Sequence, residues 1–128
     1  MATRGVRGAT TADRNEADHI AERTIELLRI LVERNGLEPE DVASATFTVT
    51  GDLDADFPAR PVRHLPGWEE VPLLCAREIP VPGSLGRCIR VLLHWNTERS
   101  QRDVRHAFLR GSRTLRPAWA VRVPGDEE

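Results

Sequence analysis

Lysine and tyrosine are both missing from this chain and cysteine is scarce: all 18 basic residues are arginine, and only Cys75 and Cys88 carry thiols. Each absence closes off chemistry. Without lysine there is no amine for a Schiff base and no Walker-type phosphate lysine. Without tyrosine no phenolic hydroxyl can reach a ligand. The two cysteines stand thirteen residues apart, with no CxxC and no histidine at metal spacing, which suggests buried thiols in place of a zinc site or disulfide framework. No stretch approaches the roughly 18 apolar residues of a membrane helix. The start, Met1-Ala2-Thr3-Arg4, runs straight into a strand-like segment without an apolar leader, so a cytoplasmic protein with no membrane partner is expected. The formal charge of -2 gives no global attraction to nucleic acid, so any anion selectivity must be local.

What is present reads as one domain spanning residues 1–128, small enough that a deep site would gain from a neighbouring subunit. Residues 3–9 form a short strand with Gly5, Arg7 and Ala9 on one face. Residues 16–35 form a helix on the spacing of Ile20, Leu27, Leu28 and Leu31, opened by Asn15 and stopped by Asn35-Gly36. Its polar residues, Arg23 and Glu26 among them, read as a solvated face. A turn at Pro39 leads to an alternating strand over 43–50, and Phe57–Arg63 reads as a short helix with Pro58 in its first turn. Residues 71–74 are strand-like. Residues 87–95 are apolar on both faces, as befits a strand central in its sheet. Ser100-Gln101-Arg102-Asp103 resembles a capping box, predicting a helix to about Leu109, and the remainder has no period, with disorder expected from about residue 117. The sum is an α+β fold, a mixed β-sheet packed by helices.

Two arginines stand out because each lies in a strand-like run: Arg7 in Val6-Arg7-Gly8-Ala9, and Arg90 in Cys88-Ile89-Arg90-Val91. A buried guanidinium is costly unless an anion meets it, so the pair suggests a pocket for an acidic ligand, with Glu78 placed beside them. The duller reading is structural ion pairing with Glu78 or with an interface carboxylate. The histidines have no carboxylate or serine at triad spacing.

Taken together, Arg4-Gly5-Val6-Arg7-Gly8-Ala9-Thr10-Thr11, Phe57-Pro58-Ala59 followed by Arg63, Val71-Pro72-Leu73-Leu74-Cys75-Ala76-Arg77-Glu78, and Cys88-Ile89-Arg90-Val91 resemble the monofunctional, trimeric chorismate mutases with a pseudo-α/β-barrel core. The similarity runs from Thr3 to Pro117. It implies a homotrimer with clefts between subunits, converting chorismate to prephenate by an intramolecular Claisen rearrangement without a cofactor. Carried onto matching positions, it implies Arg90 at the ether oxygen and a carboxylate, Arg7 at a carboxylate, and Glu78 with Cys75 around the ring hydroxyl. Phe57, Ala59, Leu73 and Leu74 would line the wall, Arg60 and Arg63 the entrance, and Leu115 the cover. Two positions depart from the family pattern: Phe108 stands where a tyrosine is usual, and Arg60 where a lysine is common.

The absences agree with such a reaction. A pericyclic rearrangement transfers no proton and uses no external nucleophile, so shape and fixed charge suffice. Two rivals stay open on sequence: a trimeric imine deaminase-like enzyme, and a non-enzymatic module that binds small carboxylates.

Overall fold

The computed structural model of the chain describes residues 1–126. Six strands form one mixed sheet: β1 (Ala2–Thr11), β2 (Val42–Val49), β3 (Leu73–Arg77), β4 (Cys88–Thr97), β5 (Ala107–Leu109) and β6 (Ala120–Val121), in the order β3-β2-β4-β1-β5-β6. The doubly apolar β4 lies between β1 and β2 and is antiparallel to both. The remaining pairs, β2 with β3, β1 with β5 and β5 with β6, are parallel.

One helix, α1 (Ala17–Asn35), covers one face of this sheet. Leu27, Leu28 and Leu31 fall on its inner stripe and pack with Val6, Phe47, Val91, Leu93 and Trp95. Full burial of each such side chain is worth roughly 1.5–3 kcal/mol. Gly8 lets the helix approach: a Cβ there would lie 2.8 Å from Leu31 Cδ1 and 3.0 Å from Leu27 Cδ1. The helix ends at Gly36, which takes the left-handed conformation (φ 64°) and returns its N–H to the Val32 carbonyl.

Several expectations change. Asn15 is not the helix cap; Glu16 holds that place without a side-chain bond, while Asn15 accepts from the Asp54 and Ala55 N–H groups and so ties the distant loop. Nor is the polar face of α1 wholly solvated. Arg23 is buried, donating to the Thr11 carbonyl and pairing with Asp13 at 3.0 Å, and Glu26 receives both arms of Arg110. Of the short helix expected over 57–63, only a 3₁₀ turn at Val62–His64 forms.

The largest correction concerns residues 100–109. A single 3₁₀ turn, Gln101–Asp103, replaces the expected helix, because Ser100 Oγ bonds the Asp103 carboxylate and leaves the backbone uncapped. The free edge of β1 then captures the residues on either side of His106. The Gln101 amide donates to the Gly5 carbonyl and accepts the Gly5 N–H, and Ala107 and Phe108 pair with Gly8 and Ala9 as β5. Beyond a 3₁₀ turn at Pro117–Trp119, β6 pairs with β5, so residues 117–126 are part of the structure; the expected disorder at Glu127 and Glu128 lies outside the described residues.

Candidate active site

Residues opposite each other in an antiparallel pair share a face, so register places the site. Arg90 lies opposite Ala9 on β1 and Thr48 on β2, and Arg7 lies opposite Leu92. Val6, Gly8 and Val91 face α1. Arg7, Arg90, Leu92 and Thr48 therefore face the other way, on the side of the sheet the helix does not cover. The alternation of β2, with threonine at 46 and 48, supplies the polar lining of that side.

Glu78 follows β3 and donates its N–H to the Val49 carbonyl, which brings its carboxylate over the sheet. Glu78 Oε2 accepts the Thr48 hydroxyl and stands 3.7 Å from Arg90 Nε. Both members of that ion pair keep 26% of their side-chain surface exposed. The gap is too long for a hydrogen bond, and Arg90 Nε, though buried, makes none among the described residues. The arginine is thus charge-compensated but not saturated. On the same face of that strand, burial pushes the Cys88 thiol up, while the neighbouring Arg90 acts in the opposite direction.

Arg7 has a less favourable environment for its charge. Burial first, then the neighbouring Arg90, lower its pKa below the usual arginine value, and Glu78 offsets this only in part. Its guanidinium lies 5.7 Å from the centre of the Phe108 ring, which is fully enclosed at 2% exposure. Phe108 in turn contacts Trp119 at 5.8 Å, and Arg116 stacks on the same indole at 3.6 Å. Around Arg7 the charged neighbours are therefore two further cations, Arg90 and Arg116, and, among the described residues, one carboxylate, Glu78, an arrangement suited to an acidic ligand.

The remaining candidates gather elsewhere. Phe57, Ala59, Arg60, Arg63, Leu73, Leu74 and Cys75 line one cavity of about 380 Å³ between β3 and the 57–63 loop. Phe57, Arg60 and Cys75 also border a second cavity of about 660 Å³. Arg60 is held by Asp56 at 2.7 Å and lies over the Phe57 ring; its hydrogen bond, followed by that from the Phe57 N–H, keeps the Asp56 carboxyl below its ordinary range. Neither cavity is lined by Arg7, Glu78 or Arg90. Cys75 thus belongs with the loop residues, whereas the Glu78 carboxylate meets Thr48 and Arg90. Leu115, 37% exposed, follows the 3₁₀ turn Arg110–Thr114.

Sequence reasoning missed Thr48, His106 and Trp119. The polar alternation of β2 could have indicated Thr48, but only strand register places it beside Arg90. Nothing local distinguishes Trp119, since its segment has no period.

Comparison with known proteins points to one family. Residues 3–119 match the family described as chorismate mutase type I. The chain is 43% identical over 117 residues to the chorismate mutase AroH of Bacillus subtilis, covering 91% of this chain and 92% of that protein. To the chorismate mutase AroH of Thermus thermophilus it is 50% identical over 115 residues, covering 89% and 93%. A solved chorismate mutase from Clostridium thermocellum superposes with a TM-score of 0.84 at 49% identity, over 87% of this chain and 98% of that one. None of these matches is an imine deaminase or a binding module. With likeness of this extent in both sequence and fold, the chain belongs to the chorismate mutase type I family.

Proposed function

We propose that this chorismate mutase carries out its rearrangement on the uncovered face of the sheet, with Arg90 as the catalytic cation. The observation behind this is the buried Arg90 Nε, which has no hydrogen-bond acceptor among the described residues although Glu78 stands 3.7 Å away. In chorismate the C–O ether bond breaks as a C–C bond forms, and negative charge grows on the ether oxygen. That oxygen is nearly neutral in the ground state, so a fixed guanidinium there stabilises the transition state selectively. Arg7 holds a substrate carboxylate and Glu78 the ring hydroxyl. Held in this way, the dianion adopts the compact conformer that reaction requires.

The second half of the site comes from a neighbouring copy. The cavity lined by Phe57, Ala59, Arg60, Arg63, Leu73, Leu74 and Cys75 supplies a wall and a cationic entrance, and it is separate from the arginine pair within one chain. Leu74, 64% exposed, and Ile79 and Val81 beside it present apolar surface for association. A homotrimer with three shared clefts joins the two halves, Leu115 covering each cleft. The whole of residues 1–128 acts as one domain in the cytoplasm. Two free thiols support that location, and no helix among the described residues is long and apolar enough to cross a membrane.

The test is turnover by folded Arg90 variants, followed as loss of chorismate ultraviolet absorbance. Arg90→Ala is expected to lower kcat by at least about 10²–10³, the range for removing one preorganised donor to a developing oxyanion. Arg90→Lys is expected to recover little, because a point charge on a flexible stem does not reproduce the planar fork. Retention of most kcat/KM by Arg90→Ala would remove Arg90 from the chemistry while leaving the family assignment intact.

A further inference from the structure

The outer edge of β1 is satisfied by side chains before β5 begins. The Gly5 N–H is taken by Gln101, and the Arg7 N–H donates to His106 Nδ1 at 2.9 Å. That nitrogen must therefore be unprotonated, leaving the ring proton on Nε2. The His106 ring packs on Trp119 with centroids 4.0 Å apart, and Trp119 contacts Phe108, the ring beneath the Arg7 guanidinium. His106, Trp119 and Phe108 thus form a closed frame around Arg7, meeting it at the backbone through His106 and at the guanidinium through Phe108.

We propose that His106 is a positioning residue for the rearrangement: its neutral Nδ1 fixes the backbone of Arg7, and its stack on Trp119 sets the floor on which the Arg7 guanidinium is aimed. This rests on the reading of Arg7 as a ligand for a substrate carboxylate. Adding a proton to the ring would set an N–H against the Arg7 N–H, exchanging a hydrogen bond for a clash of two donors.

The surroundings hold the ring in its neutral form. Arg7 faces it from β1 and Arg116 from the segment before Trp119. The concavity that His106 shares with Trp119 is further lined by Arg34 of α1 and by Arg99, Arg102 and Arg105 of the β4–β5 connection, with Asp103 the one acid among the described residues. Burial, then Arg116 and Arg7, lower the His106 pKa from its ordinary value. The ring is consequently neutral at pH 7 and gains its proton only on the acid side of about 6.5.

The test compares kcat/KM for chorismate between pH 5 and 8 in the wild-type protein and in His106→Asn, His106→Gln and His106→Leu. An asparagine amide oxygen can stand where Nδ1 stands and does not titrate here. Glutamine reaches instead toward the Nε2 position, and leucine offers no acceptor. His106→Asn is expected to stay within about threefold of wild type at neutral pH and to lose the acid limb expected of wild type. His106→Gln and His106→Leu are expected to fall about tenfold or more, the fold-change for a lost hydrogen bond that strands a partly buried donor. Equal rescue by asparagine and glutamine, or an unchanged acid limb in His106→Asn, overturns the proposal; if His106→Leu fails to fold, the asparagine profile decides. Arg7→Ala separates the two readings. An active Arg7→Ala removes the carboxylate role of Arg7, whereas an inactive Arg7→Ala beside a fully active His106→Gln removes only the role of His106.

Discussion

Arg90 balances two opposed demands. A buried guanidinium needs an anion, yet a guanidinium fully paired with its own protein has nothing left for substrate. Thr48 resolves the conflict by donating to Glu78 Oε2, the oxygen that faces Arg90, so the carboxylate compensates charge without taking up the Arg90 donor. Gly8, one position from Arg7, shows how closely the opposite face is packed. Gly8→Ala would set a Cβ against Leu31 Cδ1 and Leu27 Cδ1 and 3.2 Å from Val91 Cγ1. Overpacking of this kind costs roughly 1–3 kcal/mol. The urea midpoint of Gly8→Ala is expected to fall with the slope unchanged; an unaltered midpoint would mean that the leucine ends yield freely and that helix approach does not require glycine.

At the scale of elements, β4 organises the sheet, since both its edges are hydrogen-bonded, to β1 and to β2, and its inner face of Ile89, Val91, Leu93 and Trp95 is buried. The start of α1 adds a pH-sensitive joint. His19, buried in the first turn, accepts the Asp13 N–H through Nε2 at 2.9 Å. Burial first, then Arg23 and Arg14, lower its pKa below 6.5. Between that lowered value and the unfolded value of about 6.5, the unfolded chain binds the extra proton. The stability contribution of the neutral ring is therefore complete above about 6.5 and declines as pH falls below it. His19→Gln, whose amide oxygen can replace Nε2, is expected to flatten part of the decline in urea midpoint between pH 7.5 and 5.5. His106 has a lowered pKa of the same sign, so some slope should remain. An identical slope in wild type and His19→Gln would show that His19 does not titrate differently on folding.

At the scale of the whole molecule, the division of the candidate site has a consequence for mixed assemblies. Arg7 and Arg90 lie on adjacent strands of one chain, so chains inactivated separately at these two positions cannot restore each other. If the cleft is shared between copies as proposed, a chain inactivated in the wall, Arg60→Ala with Arg63→Ala, is expected to complement Arg90→Ala, because one would supply the arginine face and the other the wall. In a randomly assembled equimolar trimer about a quarter of the clefts would combine two intact halves. Chorismate turnover after subunit exchange is expected to approach about that fraction. No recovery despite demonstrated exchange would place both halves within one chain.

Local pattern alone determined α1, whose apolar stripe repeats at helical spacing, and the central place of β4, whose run is largely apolar with Arg90 set into it. It also singled out Arg7 and Arg90, because a guanidinium is conspicuous in a strand, and their motifs with those around Glu78 carried the family resemblance. Tertiary structure decided the rest. Residues 107–109 have a helical start signal before them, yet they pair with the free edge of β1, where long-range hydrogen bonds outweigh a weak local preference. The same capture brings His106 and Trp119, separated from Arg7 by about a hundred residues, into its frame. Strand register, which no single segment encodes, set Thr48 beside Arg90 and parted the wall residues from the arginine pair. Spacing reveals what a segment can become by itself, but its neighbours across the sheet are chosen by the pairing of backbones far apart in the chain.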